Sequence, residues 1–393
     1  MRLPLPTAPL IVLLSLCVAC APPSTNDDFS APQQEAMLEH VARNIIAPLT
    51  QRFAENATAL HQATASFAQS PTDEALHQSA RQAWRDTMNV WQRLEMLQVG
   101  PAGSSVSVTE GKNLRDEVYS WPSTNPCRVD QETLKAEHAQ DDFFTTRLGN
   151  AYGLDAMEYL LFAPDVQNQC ASLATINQGP WQALPATEVN AGRAAYAYDL
   201  ATELVRLSQE LASSWTPDTG AFFTTFVHAG TSDASCERVH HSTNELYHAL
   251  FYAELKVKDA KLGLPTGHGG CDASACSEQR ESRWANASTE HIIANLETFE
   301  KVFTGGEAEA PGFDDLLADQ GAEDIATAIQ EGVTRTLEEL RSLEVPLHEA
   351  LNSNLETLEN AYSALQGAMS RFKTDFADVL QLEVPEEGAG DND

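Results

Sequence analysis

Positive charge is scarce in this chain. Its 393 residues carry 24 Lys and Arg against 57 Asp and Glu, a formal charge of −33. A phosphate backbone needs a basic footprint, and no stretch here supplies one, so nucleic acid is excluded as a partner. An anionic membrane surface would repel the body of the chain in the same way. Cationic partners, metal ions included, suit the excess charge. Strand-length polar/apolar alternation is missing, which argues against a sheet protein. So are G-x-S-x-G, the P-loop, a G-x-G-x-x-G after a strand and H-E-x-x-H, so no serine hydrolase, nucleotide site or zincin centre is supported. No solenoid period recurs. The apolar fraction, 42%, is nevertheless too high for a disordered chain.

The N-terminus reads as an address. Arg2, the apolar run 10–16 and Cys17-Val18-Ala19-Cys20 predict a lipoprotein signal peptide over 1–19, with Cys20 lipidated. Ordinary secretion is the alternative. The run is too short to cross a bilayer. Ala21 favours outer-membrane sorting, so the expected location is the bacterial envelope, lipid-anchored and facing the periplasm. Residues 20–30 are expected to be a flexible tether.

Export implies an oxidising compartment, where disulfides persist. Past Cys20 there are five cysteines. Cys127 and Cys170 flank one predicted helix and are expected to pair. Cys271 and Cys276 are expected to form a local clip, with a zinc pair involving His268 as the alternative. Cys236 is left over.

The rest is helical in period. In residues 31–69 Leu38, Val41, Ile45, Leu49, Phe53, Leu60 and Phe67 form an i, i+3/i+4 stripe, with Pro48 expected to kink it. Ser70 is the expected N-cap of a helix running to about 98, with Pro71 at its first position. Further helices are expected over 112–120, 142–162, 186–213, 219–259, 280–303 and 323–381, the last broken at Pro346. Residues 123–139 and 305–320 are read as irregular. Pro164, Gly179, Pro180 and Pro185 suggest a boundary. The fold class predicted is all-α, as two four-helix bundles: an N-terminal one over 31–175 and a C-terminal one over 186–383, with 384–393 as a disordered tail.

Three groups of residues stand out as carriers of chemistry. Asp155 and Glu158 are three apart, so on a helix their carboxylates share a face and repel unless a cation intervenes. Gly153 before them permits close approach of another backbone or a ligand. His241, Glu245, His248 and Tyr252 make one polar helical face able to bind a metal. Glu95 continues the stripe of Trp84 and Trp91 and would be costly to bury alone. Arg115, next to Tyr119-Ser120-Trp121-Pro122, is its candidate partner.

Gly153-x-Asp155-x-x-Glu158 followed by YLLF, the run NELYHALFYAELKVKDAKLGLP, and YSWP with Cys127-Arg128-Val129-Asp130-Gln131 together resemble the imelysin-like family, over roughly residues 35–380. The resemblance implies two helical bundles with a site at their interface and a role in bacterial iron acquisition. The family signature is G-x-H-x-x-E, so Asp155 stands where that motif has His. Losing the imidazole argues against the metallopeptidase activity once attached to the family, and no catalytic residue is assigned. The remaining pair of hard oxygen ligands, Asp155 and Glu158, suits iron, calcium or magnesium. By position only Gly153, Asp155 and Glu158 carry over. Glu95, Arg115, Trp121, Glu245 and His248 are added from the logic of facing polar residues. The expected function is a lipid-anchored protein that holds iron or an iron-bearing ligand between bundles. The alternatives are an adaptor docking on an outer-membrane receptor and, less favoured, an H-x-x-E metallopeptidase.

Overall fold

The computed structural model describes residues 31–228, 239–269 and 277–386. The signal peptide, Cys20, the tether, Cys236, the Cys271–Cys276 clip and residues 387–393 lie outside the described residues.

The architecture is all-α, and no strand occurs among the described residues. The first helices are α1 (Ala31–His40), α2 (Ala47–Gln69) and α3 (Glu74–Glu95). Pro48 falls in the first turn of α2, directly after the π-helical Val41–Ile46, so the helical run from residue 31 continues past it through a π segment. The cap of α3 is Asp73 rather than Ser70: Asp73 Oδ1 accepts from Ala75 N at 2.9 Å and Leu76 N at 3.2 Å. Next come α4 (Leu114–Val118) and α5 (Pro126–Lys135). The second falls in a segment expected to be irregular; Asn125 caps it and Pro126 opens it.

The helix expected over 142–162 is broken. Only α6 (Leu154–Phe162) is regular at its end, preceded by the short turns Phe143–Thr146 and Gly149–Ala151. The residue that stops it is Gly153, with φ of +94°. After α7 (Ala186–Ser214), the segment expected as one helix from 219 holds Ala221–Val227, then α8 (Val239–Leu250), then a π-helical run Ala253–Gly263. The chain continues in α9 (Ser288–Phe303), α10 (Glu323–Arg341) and α11 (Leu355–Arg371). The break at Pro346 is present, and residues 313–318 within the expected connector are helical.

Helix α2 packs between α3 and α7, and α6 closes against both. Helix α7, which sequence placed with the second half, therefore lies on the first helices. Helices α9, α10 and α11 pack together with the π-helical run, and α1 crosses to α8. The α3–α9 contact joins these groups, and one continuous apolar cluster runs from Met37 to Leu382. Trp84 and Trp91 sit wholly inside it; burying each such side chain is worth roughly 1.5–3 kcal/mol or more. Cys127 and Cys170 are joined by a disulfide that ties α5 to the loop after α6.

Candidate functional site

The site is organised around the first turns of α6. Trp84 Nε1 donates to Leu154 O at 2.8 Å, pinning the start of α6 to α3. A side chain at Gly153 would put its Cβ 2.8 Å from Asp155 Oδ1 and 2.9 Å from Val118 O. Glycine is therefore required there for backbone geometry and close approach alike.

Asp155 is buried and crowded by donors. Its Oδ2 accepts from Ser120 N at 3.1 Å, from Ser120 Oγ at 2.9 Å and from Thr124 Oγ1. Its Oδ1 accepts from Ala156 N at 3.0 Å. Burial still prevails over these hydrogen bonds and pushes the carboxyl up to about 6. Glu158, one turn on, accepts on Oε1 from Trp284 N and Ala285 N, both at 2.8 Å. Its pKa is pushed up to about 7, by burial first, with the negative charges of Glu281 and Asp155 adding to it. Among the described residues no hydrogen-bond donor meets Glu158 Oε2.

Both carboxylates line a cleft of about 300 Å³. Trp121, Tyr159 and Trp284 form an aromatic wall, the Tyr159 and Trp284 rings lying 5.2 Å apart. Arg280 and Arg283 also line it. The Arg283 guanidinium lies over the Trp284 ring at 4.6 Å.

Behind the cleft sits a buried charge network. Lys261, fully buried, contacts Gln92 Oε1 at 2.5 Å, Asn295 Oδ1 at 2.9 Å, Glu281 Oε1 at 3.0 Å and Glu95 Oε2 at 3.2 Å. Arg115 donates to Glu95 Oε1 at 2.9 Å and to Trp121 O at 3.2 Å. Tyr119 donates to Glu281 Oε1 at 2.8 Å. Burial works against the Glu281 charge, yet the Lys261 ammonium and His291 outweigh it and hold the carboxyl well below its usual range. Two cations and two carboxylates thus compensate one another out of water, the condition for tolerating buried charge.

The eight residues singled out by sequence do not converge. Asp155, Glu158 and Trp121 line the cleft, whereas Gly153 lines a separate small pocket with Tyr152 and Met157. Glu95 is in the network behind, neutralised by Arg115 and Lys261, so its oxygens are committed to those cations. Arg115, Glu245 and His248 line a different cleft of about 450 Å³. There Glu245 Oε1 accepts from Thr109 N at 2.7 Å, and His248 Nε2 meets Glu383 O at 2.5 Å. A shell built from Asp155, Glu158 and Glu245 is therefore not assembled. Among the described residues no group of three or more His, Cys, Asp or Glu is placed to hold a metal ion.

Sequence reasoning missed Ser120 and Thr124, which hold Asp155, and Lys261, Glu281 and Arg280. Lys261 lies in the run that carried the family resemblance, within the π-helical segment, and is buried there.

Comparison with known proteins gives a family and a fold. The family model described as Imelysin (Peptidase_M75) matches residues 46–372. Iron-regulated protein A of Synechococcus elongatus is 26% identical over 223 residues, which is 56% of this chain. The match spans 52% of that protein, about half its length. The crystal structure of an imelysin-like protein from Psychrobacter arcticum 273-4 superposes with a TM-score of 0.67 at 18% identity, covering 91% of this chain and 98% of that one. Such low identity makes the shared fold the content of that likeness. On the span of the family match, the chain belongs to the imelysin family.

Proposed function

We propose that this protein is a non-enzymatic binding protein of bacterial iron acquisition, holding an iron-bearing chelate in the cleft at Asp155 and Glu158. The carrying observation is two buried carboxylates, one turn apart, on the floor of an aromatic-walled cleft. Burial holds both pKa values above their usual range, so a bound cation would displace protons there and bind more tightly as pH rises. The name of the Synechococcus relative supports the iron connection.

Donor chemistry favours a chelate over a bare ion. Asp155 and Glu158 offer two oxygens with spare lone pairs, and hard cations take about six. The missing donors would come with the ligand. A peptidase needs three protein ligands and an open metal position, and Asp155 replaces the histidine of the family motif. The envelope location and lipid anchor at Cys20 belong to the same reading, resting on the N-terminal sequence. Docking on an outer-membrane receptor is the second role we attach to it, since an anchored carrier must exchange its cargo.

Isothermal titration of the mature chain with ferric citrate, ferrous chloride, haem and zinc chloride tests the reading. Saturable binding of an iron probe, lost in Asp155→Ala/Glu158→Ala, is expected. No binding of any iron probe would overturn it.

A further inference from the structure

We propose that Arg280 is an anion-binding residue of the cleft, gripping a carboxylate group of the iron chelate while Asp155 and Glu158 face its metal. This rests on the binding role proposed above and names the ligand's chemical class: a polycarboxylate or hydroxycarboxylate complex of iron.

The Arg280 side chain is 10% exposed. A cation so buried normally faces a carboxylate at close range. Among the described residues the acid that reaches it is Glu278, at 4.0 Å and 72% exposed. The partners of Arg280 are instead carbonyls: NH1 donates to Ser277 O at 2.7 Å and NH2 to Arg283 O at 3.4 Å. Its Nε is buried and has no hydrogen-bond partner. A guanidinium offers five N–H donors in a rigid fork suited to two carboxylate oxygens. Here the fork lines the cleft with donors to spare.

Arg193 is the informative contrast. Its side chain is 5% exposed, and its terminal nitrogens meet Asp130, the Tyr159 hydroxyl and the carbonyls of Asp165 and Gln167, although its Nε, like that of Arg280, has no partner. Among the described residues Arg280 has no carboxylate at such close range. The absent acid is the place of the ligand's own carboxylate.

The rest of the cleft fits the same ligand. The same cleft is lined by two carboxylates, which would repel a free anion and attract a cation. A complex carrying both a metal and carboxylates satisfies the two sides at once. Cation and anion then bind with positive coupling, each weaker alone. Arg283, stacked on Trp284, adds a second positive charge on the anion's side. The protein supplies two metal donors and the chelate supplies the others.

The test is titration of the mature chain and its variants, followed by the intrinsic fluorescence of Trp121 and Trp284 and by calorimetry. The probes are ferric citrate, sodium citrate alone and ferrous chloride under anaerobic, carboxylate-free conditions. For the wild type, ferric citrate is expected to bind tightest. Arg280→Gln is expected to weaken ferric citrate by about tenfold or more, the worth of a charge-assisted hydrogen-bonded pair, and to leave ferrous chloride unchanged. Arg280→Lys keeps the charge but not the fork and is expected to fall between. Melting curves of both variants check folding, and the Lys variant keeps the test open if the Gln variant unfolds. Ferric citrate affinity that is equal in the wild type and both variants overturns the role of Arg280 while leaving the iron-binding reading standing. Wild type that binds none of the probes overturns both.

Discussion

Glu158→Gln exchanges a titrating buried acid for a neutral group of the same shape. In the wild type the carboxyl is raised from 4.5 to about 7. The folded protein therefore holds this proton more tightly than the unfolded chain does. The stability linked to it is fully present below pH 4.5 and is lost as pH rises through about 7. A rise of that size corresponds to about 3 kcal/mol. With an unfolding entropy of ~2.1 cal/mol/K per residue, a chain of this length loses about 4 °C in Tm. The amide of the variant retains an oxygen for the Trp284 and Ala285 N–H groups, so its own stability carries no such term. Asp155 titrates in the same direction through about 6, but it is present in both proteins and cancels in the comparison. Differential scanning calorimetry of both proteins across the range from acid to mildly alkaline pH is the assay. The Tm difference, variant minus wild type, is expected to grow by about 3 °C from pH ~5 to pH ~8.5. Parallel curves would refute the reasoning and mean that Glu158 is solvated well enough to ionise without cost.

Three further outcomes are expected. Lys261→Met removes the ammonium between Glu95 and Glu281, leaving Glu95 to Arg115 and Glu281 to His291, and denaturant unfolding should show a loss of about 3–5 kcal/mol. Gly153→Ala forces a positive φ on a residue with Cβ and crowds Asp155 Oδ1 and Val118 O; a loss of roughly 1–3 kcal/mol, with weakened ferric citrate binding, is expected from calorimetry. Replacing Cys127 and Cys170 by Ser opens a loop whose ends are 43 residues apart. Chain entropy then predicts a loss of up to about 4 kcal/mol, read as a lower Tm that reducing agent does not lower further.

The legible part of the site was the part carried by one helix. Asp155 and Glu158 share a face because three residues make most of a turn, and that holds wherever the helix sits. The Glu95–Arg115 pair was legible for a similar reason: a carboxylate on a tryptophan stripe needs a cation, and arginine is rare here. Glu245 and His248 were assigned correctly to one helical face but to the wrong company. Helical period says nothing about which cleft a face lines. Gly153 was seen as permissive, whereas its positive φ ends the preceding turns and starts α6.

Composition and local periodicity by themselves determined an acidic, all-helical chain, with most helices placed to within a turn. These properties depend on hydrogen bonds and side-chain spacings a few residues apart. Tertiary structure alone decided that Lys261 turns inward to two glutamates, that Ser120 and Thr124 cradle Asp155, that Trp284 and Ala285 hold Glu158, and that Arg280 meets no carboxylate closer than 4.0 Å among the described residues. Each of those facts joins groups tens to hundreds of residues apart. Their meeting depends on how the helices pack, and helix packing follows the fit of whole apolar faces rather than any local pattern.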